Sequence, residues 1–195
     1  MYRIRDIALS LSGLLLLSPL FLLISGALWV SQGKVFFIQM RPGLHEKPFY
    51  LVKFSTLRDT PAGVAEHENQ LARLTPVGAI LRRWSLDELP QLLNVLRGDM
   101  SLVGPRPLLM EYLPLYSPEE RRRHHVKPGI TGWAQIHGRN LLSFKERFRY
   151  DLWYVNHQSF HLDVHILWKT FAKVLKKEGV YVDSHTTSQL FDGTN

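Results

Sequence analysis

Ser85-Leu86-Asp87-Glu88-Leu89-Pro90-Gln91-Leu92 sets two adjacent carboxylates between a basic run, Arg82-Arg83-Trp84, and an apolar helical pattern. Read locally, the stretch is a helix start. Ser85 and Glu88 fit the S-x-x-E capping box, in which each side chain satisfies a first-turn amide. In a second register Asp87 is the N-cap and Pro90 lies in the first turn, where its missing N–H costs little. A third reading gives the two carboxylates to chemistry. The local pattern favours a cap, because helix starts are common and catalytic acids are rare. The helix is expected to run to about Leu96, with Gly98 just past its end.

Downstream, Gly98-Asp99-Met100-Ser101-Leu102-Val103-Gly104-Pro105-Arg106-Pro107 brackets one arginine with two prolines. Such an arginine suits a bidentate phosphate contact; a rigid connector with a solvated arginine fits equally well. The spacing is not G-x-G-x-x-G, and no P-loop lysine follows. Ser117-Pro118-Glu119-Glu120 reads as a capped helix start carrying the cationic cluster Arg121 to His125, whose adjacent histidines face different ways. Gly129, Gly132 and Gly138, leading to Arg139-Asn140, suit a backbone-lined ligand loop or a plain glycine-rich turn. Ser143 and Glu146 repeat S-x-x-E ahead of a stripe, Phe144, Phe148, Leu152 and Val155, read as core or membrane-facing. Asp163 to Lys177 alternates apolar residues with lysines, the pattern of an interfacial or domain-packed amphipathic helix. His161, Asp163 and His165 put only the histidines on one helical face, which argues against zinc. The tail from Ser184 is polar and expected to be loosely ordered.

Upstream, Ile7 to Val30 is 24 residues without a charged side chain, long enough on length to span a bilayer. It is longer than a signal-peptide core. Ser18-Pro19 interrupts it, and proline kinks a helix by deleting a donor and crowding the preceding turn. Arg3 and Arg5 precede the run, and Lys34, Arg41, Lys47 and Lys53 follow it. The positive-inside rule would keep both ends on the cytoplasmic side, as a re-entrant hairpin does; a kinked ordinary span is the rival. Arg41-Pro42-Gly43 reads as a tight turn, Phe49 to Phe54 as a short strand, and Asp59 to Asn69 as a mobile surface loop.

The 195 residues suffice for one ordinary domain with a core, and 45% hydrophobic with 21% charged residues is a folding composition. A net charge of +7 points to an anionic partner, and the lack of cysteine excludes disulfides, thiol nucleophiles and thiolate metal sites. The expected architecture is α/β, mostly helical with a small sheet, with a re-entrant membrane helix and interfacial amphipathic helices. Residues 1–33 form the anchor, 34–183 the catalytic domain and 184–195 the polar tail.

Taken together, the broken apolar helix, Gln39 with Arg41-Pro42-Gly43, Lys53-Phe54, Ser85 to Leu96, Gly98 to Pro107, Pro128-Gly129-Ile130-Thr131-Gly132-Trp133-Ala134-Gln135 and Gly138-Arg139-Asn140 resemble the small monotopic phosphoglycosyl transferases, the bacterial sugar transferase family. The resemblance covers nearly the whole chain. It implies transfer of a sugar-1-phosphate from a UDP-sugar to undecaprenyl phosphate, with release of UMP and a need for Mg²⁺. Asp87 matches the family nucleophile that forms a covalent phosphosugar intermediate. Glu88 matches its partner, assisting with the metal or a proton, so that Asp87 and Glu88 are also the implied metal ligands. Lys53, Arg106, Arg139 and Asp163 match polar substrate-binding positions, and Ser18-Pro19 the membrane break. The implied location is the cytoplasmic face of a bacterial inner membrane, with membrane lipid and downstream glycosyltransferases as partners and no nucleic acid.

Arg41 to Lys47 and the closing tail further resemble enzymes using UDP-N,N′-diacetylbacillosamine. Other donors of the UDP-GlcNAc, UDP-GalNAc, galactose or glucose type for polysaccharide synthesis are the alternative. Ser55 stands where the family usually has a basic residue, Leu57 where it has Met, and His137 where it has Asn. A membrane-tethered basic binding module would explain the charge, but not Asp87-Glu88 or the Gly-Pro-Arg-Pro loop.

Overall fold

The computed structural model describes residues 2–59, 70–138, 142–176 and 191–193. Residues 60–69, Arg139-Asn140 and most of the tail, each the subject of an expectation above, lie outside them. Two helices open the chain, α1 (Tyr2–Leu16) and α2 (Ser18–Gln32), bent by 63° across Leu17. The bend lies where the sequence predicts it: Pro19 has no N–H, and Ser18 Oγ donates to Leu15 O at 2.8 Å, occupying a carbonyl at the break. No single helix among the described residues is long and apolar enough to cross a membrane.

A hairpin follows, β1 (Phe36–Pro42) and β2 (Pro48–Phe54), antiparallel from Phe36↔Phe54 to Pro42↔Pro48. Gln39 to Pro42 therefore belongs to a strand, and the turn begins at Gly43 rather than at Arg41. Gly43 N–H bonds Lys47 O at 2.8 Å, and His45 and Glu46 take positive φ of 52° and 63°. Glu46 is held in this loop by Arg121 at 2.9 Å. Next come α3 (Gln70–Arg73), α4 (Pro76–Arg83) and, after a single 3-10 turn, Leu86–Glu88, the short α5 (Gln91–Arg97). As predicted, Gly98 ends α5 in the left-handed region, φ 97°.

A second, parallel pair joins β3 (Ser101–Val103) to β4 (Gly129–Thr131). The connection carries α6 (Pro118–Arg121), with α7 (Trp133–His137), α8 (Phe144–His157) and α9 (Phe160–Lys176) after it. Gly104, Gly129 and Gly132 serve backbone contact here. A Cβ on Gly129 would fall 2.1 Å from Gly104 N, and one on Gly104 2.2 Å from Lys127 O, so the chain segments at the ends of the parallel pair approach this closely only without side chains.

The main core joins Phe49 and Leu51 of β2, Val95 of α5, Met100, Val103, Ile136, Tyr154 and Ile166. Asn94, fully buried, ties α5 to the β2 edge: its amide donates to Tyr50 O at 2.7 Å and accepts from Val52 N–H at 3.1 Å. In a second cluster Phe144 and Phe148 pack with Tyr112, Tyr116 and Phe191. Those stripe residues are therefore core. Phe191, 4% exposed, also shows that the polar tail returns at that point to the domain, because its ring is better removed from water.

Both ends of the apolar pair are tied to the domain. Arg3 donates to Val95 O and Leu96 O, placing a cation on the carbonyl end of α5. Asp6 accepts from Ser101 Oγ at 2.7 Å, and Arg5 pairs with Asp163 at 2.5 Å. At the other end Ile24 and Leu28 pack on Phe54 and Leu81, and Gln32 donates to Ser55 O at 2.7 Å. Leu15, Leu16, Leu22, Leu23, Trp29 and Val30 stay exposed.

Candidate active site

The S-x-x-E pattern at the start of α5 does not form a capping box. Ser85 sits in the left-handed region at φ 54°, makes no cap hydrogen bond, and α5 begins from Pro90 with no side-chain cap. Both capping registers are thus overturned. The left-handed Ser85 turns the chain sharply after α4, so the two carboxylates leave the helix axis and face β2 and the Pro105–Pro107 loop.

Glu88 Oε1 accepts from Lys53 Nζ at 2.8 Å and from Arg106 Nη2 at 2.6 Å. Lys53 comes from β2, where the pleat carries it to the α5 side. Arg106 is positioned from behind: the buried Arg123 donates to the Arg106 carbonyl at 2.7 Å while pairing with Asp151 at 2.7 Å. The proline bracket alone does not fix Arg106. Arg123, 2% exposed, does, though in sequence it reads as one more member of a surface cationic run.

The two carboxylates titrate differently. Burial and then the charge of Glu88 push Asp87 above the usual carboxylate range, while Lys53, Arg82 and Arg106 pull the other way through charge alone. Burial is also the largest influence on Glu88 and works to raise it. The charges and hydrogen bonds of Arg106 and Lys53 outweigh burial and hold Glu88 well below that range. Lys53 is lowered chiefly by burial, against the attraction of Glu88. The result is one carboxylate bound by two direct partners and one, Asp87, that meets cations through charge alone.

Next to the pair lies a cavity of about 280 Å³, whose wall includes Lys53, Arg106, Gln91, Arg41 and Arg147. Sequence reading did not select Gln91, Arg147 or Arg82. Gln91 is the first residue of α5, four positions after Asp87; Arg147 carried no signal, because only the packing of α8 brings it here.

Of the expected substrate-binding residues, Lys53 and Arg106 join the pair, and Arg139 lies outside the described residues. Asp163 does not join it. Fully buried, it accepts from Arg5 at 2.5 Å and from Tyr154 Oη at 2.7 Å, which commits both its oxygens to holding α1, α8 and α9 together. No cluster of three or more His, Asp or Glu suited to a metal occurs among the described residues. Ser55 is buried at the junction with α2, its Oγ donating to Leu57 O, and so faces away from the cavity. His137 stacks between Trp133 and Tyr150, with centroids 4.2 and 5.0 Å away.

A family model described as bacterial sugar transferase matches residues 1–177. An uncharacterized sugar transferase, EpsL of Bacillus subtilis, is 56% identical over 82% of this chain and 79% of its own length. The UDP-glucose:undecaprenyl-phosphate glucose-1-phosphate transferase of Xanthomonas campestris is 40% identical over 91% of this chain, which spans 39% of that protein. The exopolysaccharide production protein ExoY of Rhizobium meliloti is 39% identical over 92% of this chain and 87% of its own. On a match of that extent, together with the Asp87-Glu88 site it encloses, the chain belongs to the bacterial sugar transferase family.

Proposed function

We propose that the protein transfers a sugar-1-phosphate from a UDP-sugar to undecaprenyl phosphate through an aspartyl intermediate on Asp87. The observation that carries this is the division of labour between adjacent carboxylates: Glu88 is bound by Lys53 and Arg106, whereas Asp87 meets the same cations through charge only. A carboxylate oxygen of Asp87 attacks the sugar-bearing phosphorus. The bond from that phosphorus to the bridging oxygen breaks, and UMP leaves with the oxygen. An oxygen of the lipid phosphate then attacks the same phosphorus, the aspartyl–phosphorus bond breaks, and Asp87 is restored. Lys53 and Arg106 offset the repulsion between anions and stabilise the charge that develops.

Glu88, held anionic, is a poor proton donor and acts by orienting its two cations. The donor set fits Mg²⁺, which binds through one or two carboxylates plus substrate phosphates. Both hydrogen bonds fall on Glu88 Oε1, so Oε2 and Asp87 would hold the ion, which supplies charge neutralisation on the phosphates.

The bent pair supports a re-entrant anchor, because the start of α1 and the end of α2 are both tied to one domain while the exposed leucines near the bend are free to meet lipid. In our reading the domain lies on the cytoplasmic face of a bacterial inner membrane. Relatives named for glucose-1-phosphate and galactose transfer, in Xanthomonas campestris, Escherichia coli and Salmonella typhimurium, favour a hexose donor. The UDP-N,N′-diacetylbacillosamine reading draws on the Arg41–Lys47 hairpin and on tail residues largely outside those described.

Membranes holding the wild-type chain, Mg²⁺, polyprenyl phosphate and a panel of UDP-sugars are expected to release UMP with one donor. Without acceptor, intact-protein mass is expected to rise by one sugar phosphate. In Asp87→Asn the adduct vanishes and turnover falls by at least about a thousandfold; normal turnover in that variant would sink the covalent route.

A further inference from the structure

A second cavity, of about 260 Å³, lies away from the carboxylate pair and shares no lining residue with the first. It opens where the start of α1 meets the hairpin loop, the segment before β4 and the corner between α8 and α9. Arg3, His125 and Lys127 line it, together with Asp6, Ser101 and Gln158. The acid on this wall is committed. Asp6 is 3% exposed, and one of its oxygens accepts from Arg5 at 2.9 Å while the other accepts from Ser101 Oγ at 2.7 Å. Asp99, a few residues from the end of α5, accepts from Asn94 at 3.3 Å.

Arg3 and Lys127 have no such counter-charge: neither forms an ion pair among the described residues. They are nevertheless held together. A Cβ on Gly98 would fall 3.3 Å from Arg3 Nη2 and 3.6 Å from Lys127 Nζ, so both cations crowd over one glycine. The backbone fixes Lys127 there, because Ser101 N–H bonds Pro128 O at 2.9 Å at the entry to β4. Arg3 donates to Val95 O and Leu96 O. The carbonyl end of a helix offers only roughly half a negative charge, against two full positive ones. Like charges so close repel, and an anion with several oxygens both relieves that repulsion and accepts their remaining N–H groups.

The neighbouring surface says what kind of anion this is. Ile4, Ile7, Leu11 and Leu15 recur at three- and four-residue spacing on one face of α1 and are 75, 39, 49 and 67% exposed. Arg3 immediately precedes this stripe. A charged head and a hydrocarbon tail therefore find matched surfaces on successive turns of one helix.

We propose that this second cavity binds the phosphate headgroup of an anionic phospholipid between Arg3 and Lys127, with the acyl chains along the exposed apolar face of α1. The site is separate from the transfer chemistry and does not rest on it. A lipid held here ties the start of α1 to the segment before β4, as a structural component and not as a substrate.

The test follows lipid retention by the full chain in detergent, by native mass spectrometry, with phosphatidylglycerol, phosphatidylcholine or polyprenyl phosphate added. Calorimetry with glycerol 3-phosphate reports on the headgroup alone, and the melting temperature of each variant shows that it is folded. The wild type is expected to retain one phosphatidylglycerol in preference to phosphatidylcholine. Lys127→Gln is expected to weaken that retention by about fivefold, the worth of one cation beside a lipid phosphate, and Lys127→Arg to restore it. Lys145→Gln, at an exposed position on α8, leaves it unchanged. Arg3→Gln is expected to weaken retention at least as much as Lys127→Gln. Equal retention by the wild type and a folded Lys127→Gln overturns the site, and so does equal retention of phosphatidylcholine. Glycerol phosphate binding without any retained phospholipid would assign the cavity to a soluble phosphate and end the lipid reading. Displacement of phosphatidylglycerol by polyprenyl phosphate would end it in favour of the acceptor.

Discussion

Ser143–Glu146 and Ser85–Glu88 carry the same four-residue pattern, S-x-x-E, each ahead of a helix. At the first, Ser143 Oγ accepts from Glu146 N–H at 3.3 Å and Glu146 Oε2 accepts from Ser143 N–H at 3.0 Å, closing the box that begins α8. Ser117–Glu120 does the same at α6. At Ser85–Glu88 neither bond forms: the serine is left-handed and the glutamate has gone to Lys53 and Arg106. Capping is what the pattern does when no direct ion pair takes the glutamate. Where two cations from distant parts of the chain converge in a half-buried setting, their charge-assisted bonds outbid a pair of amides. A carboxylate withdrawn from its local use marks the site.

The contrast is most open to challenge at the glutamates. Glu88→Gln leaves Lys53 and Arg106 without their counter-charge and is expected to cost about 3 kcal/mol of stability, read as a lower melting temperature, with at least a hundredfold loss of turnover. Glu146→Gln, exposed and bonded within its cap rather than to Lys53 or Arg106, is expected to leave turnover unchanged. Equal effects at the two positions would remove the distinction between cap and site.

The pH dependence follows in size. On the proposed route Asp87 must be ionised to attack, so kcat/KM is expected to rise with pH through its pKa, which burial and Glu88 lift above the usual carboxylate range. Residual activity in Glu88→Gln should show that acid limb at lower pH, since a like charge is gone and two cations turn to Asp87. The stability signs differ. A raised Asp87 disfavours the fold once ionised, so Asp87→Asn should not lower the melting temperature at neutral pH. A depressed Glu88 stabilises the fold at neutral pH, and that contribution is lost only as pH falls through its folded value, below the usual range.

The smallest effect lies at the serines. Ser143→Ala removes a working cap and is expected to cost about 1 kcal/mol in chemical denaturation. Ser85→Gly relieves a left-handed residue and is expected to be neutral or stabilising by up to about 1 kcal/mol. A Ser85→Gly loss as large as that of Ser143→Ala would restore the cap.

Legibility in the sequence followed the range of the interactions. The break at Ser18-Pro19, the end of α5 at Gly98, the boxes at Ser117 and Ser143 and the strand at Phe49–Phe54 each depend on residues within a turn or two, where backbone chemistry speaks alone. The strand Phe36–Pro42 was missed because Arg41-Pro42-Gly43 suggests a turn earlier than the one Gly43 makes. Asp87, Glu88, Lys53 and Arg106 were found through a resemblance covering several motifs, and the structure brings them together. Asp163 was carried along by the same resemblance, and Arg5 and Tyr154 turn it into a structural residue.

Local chemistry settled where helices break, cap and stop, which segments are apolar enough to seek lipid, and that adjacent carboxylates stand near fixed arginines. Tertiary structure decided what each charge does. Glu88 finds Arg106 across 18 positions and Arg5 finds Asp163 across 158. Arg3 and Arg5, which read as topology signals at the start of the chain, also bind the bent helix pair to the domain. At such separations the chain pattern carries no distance information. Only packing determines which charge loses its water and which partner compensates it.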